Sequence, residues 1–413
     1  MVKPGYKQTE IGVIPEDWEC TLLLDKTILL NGLTYTPDNV KDHGLLVLRS
    51  SNIQDNQLSF EDTLYVDCIV DDEKKIRDGD ILICVRNGSA ALIGKCAQAH
   101  HDYDATFGAF MAVLRGEHND YLLQILQQGI IQREISKNSG ATINQITNSD
   151  FKQIRIALPT LRDEEIAIAT ALSHVDKLIS TIEKLIDKKN AIKQGAMQEL
   201  LTGKRRLPGF SGEWENFNLM KHSKVKARIG WQGLKKSEYL DSGYSFLVTG
   251  TDFYDGRVRW DSCHYVTRSR YEQDRNIQLQ NNDILITKDV SLGKVALVQG
   301  LTKPATLNSG IFVIRPLQNA YDSVFVYHIL SSFVFKNFLD KLSAGSTIIH
   351  LYQKDVDKFE FLLPPTIEEQ KAIAVVLSEM DADIAALEEK LTKYRQVKQG
   401  LMQQLLTGKI RLV

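Results

Sequence analysis

The residues with chemistry to offer are scattered along the chain, and their spacing decides what they can do. Gly88-Ser89-Ala90-Ala91-Leu92-Ile93-Gly94-Lys95 has the outline of a phosphate-cradling loop. Such a loop needs four residues between its glycines and a hydroxyl after the lysine to reach Mg²⁺. Here five residues intervene and Cys96 follows, so a tight turn between strands is expected instead. A related segment, Ser291-Leu292-Gly293-Lys294, lacks the first glycine altogether. Of nine histidines only His100 and His101 are adjacent, without ligand-like companions, which suits a surface loop and no metal site. Cys20, Cys68, Cys84, Cys96 and Cys263 include no C-x-x-C pair, so neither a zinc centre nor a disulfide framework is expected. The signatures of dinucleotide binding, zinc peptidases and serine hydrolases are missing. So are the Asn-Pro-Pro-Tyr and Asp-Pro-Pro-Tyr motifs that amino-methyltransferases use on a flipped base. The chain reads as non-catalytic.

Whatever it does must then come from surfaces held by its elements. With 413 residues, 43% hydrophobic and 25% charged, the composition is globular and too large for one core. The formal net charge of -2 leaves no polycationic tail. Any nucleic-acid binding would have to use local positive charge, or share the task with a partner. Residues 1–10 lack the apolar stretch of a secretory signal, and no apolar run approaches membrane-spanning length; a cytoplasmic protein is expected.

The chain carries an internal repeat. Residues 140–207 lie on 345–412 at a constant offset without a gap. Roughly 40% of positions are identical, as a duplication should give. The clearest block is Leu200-Leu201-Thr202-Gly203-Lys204 against Leu405-Leu406-Thr407-Gly408-Lys409. Upstream the match loosens: Gly79-Asp80-Ile81-Leu82-Ile83 answers Asn282-Asp283-Ile284-Leu285-Ile286. The Trp214 segment that follows the first block has its counterpart at the other end of the chain, around Trp18. The repeat is therefore expected to be circularly closed, with the termini near each other.

Residues 163–201 contain no proline, and apolar residues recur at Leu172, Val175, Ile179, Ile182 and Ile186. The second copy repeats them as Leu377, Met380, Ile384, Leu387 and Leu391. Alternating steps of three and four make a narrow seam suited to a coiled-coil partner. A helix of this length extends about 57 Å. Antiparallel pairing of the two copies is the expected arrangement; covering of each helix's own domain, or homodimerisation, are the competitors. Thr366 and Glu369 fit a capping box, and Gly203 and Gly408 fit C-cap glycines. Between the helices, short apolar runs such as 45–48, 80–84, 283–287 and 310–314 read as strands. Helical patterning appears near 120–137 and 321–342. The expected fold is α+β: two similar mixed α/β domains separated by two long antiparallel coiled-coil helices in a pseudo-twofold, circularly closed repeat. The expected division is a segment 1–19 completing the C-terminal conserved region, a domain 20–158, a spacer 159–207, a domain 208–364 and a spacer 365–413. Trp18 and Trp214 are assigned to packing where each domain begins.

Several segments together resemble the specificity subunit of type I restriction–modification systems. They are residues 6–18, Gly79-Asp80-Ile81-Leu82-Ile83, Leu363-Pro364-Pro365, Glu369-Gln370-Lys371-Ala372-Ile373-Ala374 and both Leu-Leu-Thr-Gly-Lys ends. The second half adds residues 228–236, Thr287-Lys288-Asp289 and His350-Leu351-Tyr352-Gln353. The first copy departs from the pattern at Leu158-Pro159-Thr160, and Asp289-Val290-Ser291 stands where the family has Asp-Gly-Thr. The resemblance implies a non-catalytic subunit whose two target-recognition domains each read half of a bipartite, asymmetric site on double-stranded DNA. The helices would space the domains and dock two modification subunits, which bind S-adenosylmethionine and methylate adenine. Restriction subunits would add translocation and cleavage with ATP and Mg²⁺. No cofactor is expected in this chain. A methylation-only complex and a duplicated protein-binding scaffold are the alternatives.

Under that resemblance, base readout calls for Arg or Lys at guanine, Asn or Gln at adenine, and Ser or Thr at either. The candidates in the first domain are Arg49, Ser51, Asn52, Arg86, Asn87, Asn144 and Gln145. Those in the second are Arg228, Trp231, Gln232, Lys235, Thr249, Lys288, Ser346 and His350. Lys95 and Lys294 occupy matching turns and are the better candidates for phosphate contact.

Overall fold

The computed structural model describes residues 2–129, 145–229, 233–289, 292–343 and 350–412. The chain forms two compact units. The first comprises Met1–Glu183 with Glu389–Val413, the second Lys184–Glu388. Each is a mixed α+β structure, and the two share one plan.

In the first unit, the apolar run Ile81–Cys84 is fully buried and lies between Cys96–Gln98 and Met111–Arg115, both antiparallel to it, with Ile28–Asn31 completing the sheet. A second sheet is built on Leu45–Leu48, which pairs in parallel with Ala105–Phe107. In the second unit Ile284–Thr287 lies between Val295–Leu297 and Ile311–Pro316, flanked by Ser223–Lys226. Ser245–Val248 pairs in parallel with Ala305–Leu307. A buried carboxylate straps each framework. Asp80 receives both arms of Arg115 at 2.7 Å, and Asp283 both arms of Arg315 at 2.6 Å. The Asp80 contact comes first among the causes that hold the Arg115 guanidinium above its ordinary pKa.

The expected helices form with small changes of boundary. The long ones span Arg162–Leu200 and Ile367–Leu405, 39 residues each. In the first unit Lys398 meets Asp176 at 2.6 Å and Arg395 meets Glu183 at 2.7 Å. In the second, Lys189 meets Asp383 at 2.5 Å and Lys193 pairs with Asp381. Partner numbers fall as residue numbers rise, so the paired segments run antiparallel within each unit. Leu172, Ile182, Ile186, Leu377, Ile384 and Leu391 are buried along these segments, and Val175, Ile179, Met380 and Leu387 half-buried. Leu172 packs with Met402, Leu405 and Leu406; Leu377 packs with Met197, Leu200 and Leu201.

Gly203 and Gly408 end these helices with φ of 71° and 66°, and the N–H groups of Arg205 and Ile410 reach back to the carbonyls of Glu199 and Gln404. Each glycine thus adopts the left-handed C-cap conformation that favours glycine, closed by a bond that spans six residues. The chain then turns its arginines onto the other helix's first turn. Arg206 binds Glu369 at 2.7 Å; Arg411 binds Glu164 at 2.8 Å and Asp17 at 2.7 Å. That arginine, more than any other cause, holds the Asp17 carboxyl below its usual range. The expected capping box is thus only half made: Thr366 accepts from the Glu369 N–H, but the Glu369 carboxylate holds Arg206. Trp18 is buried and donates to Glu164, while Trp214 is half-buried against Gly203 and Phe325. The expected helix at 321–342 is two helices, Ser323–Leu330 and Phe333–Ser343. Ser332 divides them, because its hydroxyl accepts from the Val334 N–H and starts the second. Near 120–137, a helix covers Asn119–Leu126, and residues 130–137 lie outside the described residues.

Candidate nucleic-acid interface

Strand register aligns the two units position by position. Both parallel strand pairs end where a backbone N–H, of Gly108 or Asn308, reaches the carbonyl of Leu48 or Val248. The next residue, Arg49 or Thr249, opens a short 3-10 turn. In each case its N–H is taken by a side-chain oxygen three residues on, Asn52 at 2.8 Å or Asp252 at 2.7 Å. Further round, the N–H groups of Val85 and Lys288 bind the carbonyls of Phe110 and Gly310. The N–H groups of Ile146 and Leu351 close onto Val85 and Lys288 in turn. Arg49, Arg86, Phe110 and Gln145 of the first unit therefore answer Thr249, Asp289, Gly310 and His350 of the second. One backbone supports two rims with different side chains.

The rim of the first unit borders a cavity of about 540 Å³ lined by Thr34, Tyr35, Arg49, Ser51 and Phe110 among others. Arg49 is half-buried and pairs with Asp62 at 2.8 Å, while Ser51 is exposed. Arg86 is exposed, its guanidinium 5.2 Å from the centre of the Phe110 ring, and its backbone bridges Gln145. Asn87 donates to Ser50 at 3.2 Å. These residues present two guanidinium groups with hydroxyl and amide groups between them. In the second unit a cavity of about 510 Å³ is lined by Lys226, Arg228, Asn276, Lys288, Asp289 and His350 among others. His350 is exposed and binds Asp289 at 2.7 Å; Lys288 lies 5.4 Å over the Phe312 ring. Charge on this rim is mixed.

Two expected readers are not available to bases. Asn52 is fully buried: its amide donates to the carbonyls of Ser59 and Asp62 at 2.9 and 2.7 Å while its oxygen holds Arg49. Arg228 is 2% exposed and donates to the Leu307 carbonyl and the Thr306 hydroxyl. Burial is the leading cause lowering its pKa. Both build the rim from beneath. Thr249 turns its hydroxyl to Asp252 and Thr251. Lys95 and Lys294 follow turn glycines with φ of 81° and 74°, in turns that join antiparallel strands; the phosphate-loop outline at 88–95 is such a turn. Lys235 is exposed at the start of a 3-10 turn. Asn144, Trp231, Gln232 and Ser346 lie outside the described residues. Phe110, Tyr35 and Lys226, which line these cavities, are not among the sequence candidates. An apolar residue between two apolar strands gives no sign that it faces outward.

No group of metal-ligating side chains is found among the described residues, and His101 instead packs on Tyr103. All five cysteines are thiols; burial pushes those of Cys96 and Cys263 up to about 12. No described helix is long and apolar enough to cross a membrane.

A duplicated α+β framework under two unlike rims defines a chain with two non-equivalent surfaces at matching places. Comparison with known proteins gives the lineage. Residues 26–194 and 213–398 match the model of the type I restriction modification DNA specificity domain, and the chain belongs to that family of specificity subunits. It is 30% identical to a sequence described as the MjaX type I restriction enzyme specificity subunit of Methanocaldococcus jannaschii, over 99% of this chain and 97% of that one. It is 25% identical to the StySPI specificity subunit of Salmonella potsdam, over 97% of this chain and 90% of that one. The crystal structure of an S subunit from M. genitalium shares the fold, with a TM-score of 0.65 at 15% identity over 98% of both chains.

Proposed function

We propose that this chain is the non-catalytic, DNA-reading subunit of a type I restriction–modification complex in the cytoplasm, each unit reading one half of a bipartite asymmetric site on double-stranded DNA. The observation that carries the reading is the exchange of Arg49, Arg86, Phe110 and Gln145 for Thr249, Asp289, Gly310 and His350 on one shared framework. Similar scaffolds with unlike polar rims suit two different half-sites. Arg49, Ser51, Arg86, Asn87 and Gln145 are the readers in the first unit, and Lys235, Lys288 and His350 in the second. Lys95 and Lys294 take phosphates. The divisions at 19, 158, 207 and 364 belong to this reading. So does a coiled coil of the two long helices, circularly closed, that spaces the units and docks two modification subunits; the antiparallel ion pairs and the Arg411 contacts support it. S-adenosylmethionine, ATP and Mg²⁺ belong to the modification and restriction subunits. A near-neutral chain fits if those subunits share the neutralisation of phosphates.

Retention of DNA by the purified complex with its modification subunits tests the reading. The motif is first obtained from the methylation pattern of cells expressing that complex. A duplex bearing it should be held at salt concentrations that release a scrambled duplex. Equal retention of both would refute sequence reading by this chain.

A further inference from the structure

Among the described residues, Phe110 stands more exposed than covered. Its ring is 56% exposed, on the short link between Ala105–Phe107 and Met111–Arg115. Its carbonyl is fixed by two N–H donors, those of Val85 at 2.9 Å and Arg86 at 3.2 Å, so the exposed ring stands on a pinned backbone. The Arg86 guanidinium lies 5.2 Å from the ring centre, and the cavity carrying Arg49, Ser51 and Tyr35 opens beside it. Leaving a phenyl ring in water forgoes the gain of burying it. At the equivalent place in the second unit stands Gly310, so the shared framework does not require a ring there.

Resting on the DNA-reading function above, we propose that Phe110 is a wedge that enters a base step of the half-site read by the first unit, with Arg86 positioned to steady it. A rigid apolar ring beside a cation is the chemistry that unstacks a step and stacks on the displaced base. Because its backbone is pinned before binding, little ordering is needed on contact. The first unit then selects partly for a step that opens easily, which favours pyrimidine–purine steps. The second unit, with Gly310, has no such wedge at this position.

The test uses the whole complex with its modification subunits and duplexes carrying 2-aminopurine at successive positions of each half-site. With the natural chain, fluorescence should rise several-fold at one or two neighbouring positions of the first unit's half-site other than the methylated adenine, which its methyltransferase flips by itself. Phe110→Ala should abolish that rise, leave probes in the other half-site unchanged and weaken binding about tenfold. Phe110→Trp should restore both. A silent first half-site, or a Phe110→Ala complex with natural affinity and signal, overturns the wedge. If those duplexes are still preferred over scrambled DNA, the specificity reading survives its loss. If no preference is seen with the natural chain, both fall together.

Discussion

At the scale of single residues, the duplication supplies its own controls. His328 is buried on Ser323–Leu330, faces Asp381 at 4.0 Å and binds the Ser378 hydroxyl at 3.2 Å; Lys193 pairs with the same aspartate. Gln124 holds the matching place in the first unit, 3.4 Å from Asp176, which Lys398 pairs in turn. Burial leads the causes that lower the His328 pKa to about 4, with Lys193 opposing charge and Asp381 favouring it. Its folded value lies below the unfolded one, so the unfolded chain takes up the proton first. Stability is therefore full above about 6.5 and is lost as pH falls toward 4. Between pH 7 and pH 4.5 this histidine should account for a loss on the order of 2 kcal/mol, and His328→Gln should remove that share. Urea unfolding of both proteins at the two pH values measures it. Equal losses would mean His328 is solvated.

The elements show why much of the fold was legible and much of the interface was not. A seam such as Leu377, Met380, Ile384, Leu387 and Leu391 announces a helix because burial follows the helical period. Runs such as Ile81–Cys84 announce strands because a sheet covered on both faces needs apolar residues throughout. The rim obeys no period. Asn52 and Ser51 are neighbours in one turn, yet one is buried and the other exposed, and only the tertiary arrangement decides which. Arg228 and Phe110 invert the usual expectation, the charge inside and the ring outside. Helix ends give a sharper prediction, because glycines of one element differ in what surrounds them. Gly400 lies within the second long helix with open space at its Cβ position, so Gly400→Ala should stabilise by about 1 kcal/mol. Gly408 has φ of 66° and a Cβ there would lie 2.3 Å from Pro15, so Gly408→Ala should destabilise by about 2 kcal/mol. Thermal melting should show Tm shifts of opposite sign; shifts of the same sign would contradict the left-handed glycine cap.

At the scale of the whole molecule, the prediction concerns modularity. Residues 216–364 begin and end on the paired strands Glu215–Asn218 and Glu360–Leu363, so the segment leaves and re-enters the framework at one place. Exchanging it for the corresponding segment of another family member should change one half of the methylated motif and preserve the other half and the spacing. Sequencing methylated DNA from cells carrying the hybrid reads this directly, and an unaltered motif would count against two separate readers. The buried straps, Asp80 with Arg115 and Asp283 with Arg315, bear on how such chains diversify. Each anchors its sheet from residues that take no part in the rim, so a lineage can let a handful of rim codons drift without undermining the foundation. New specificities would then arise by small mutational steps as well as by wholesale recombination, each intermediate remaining a folded protein.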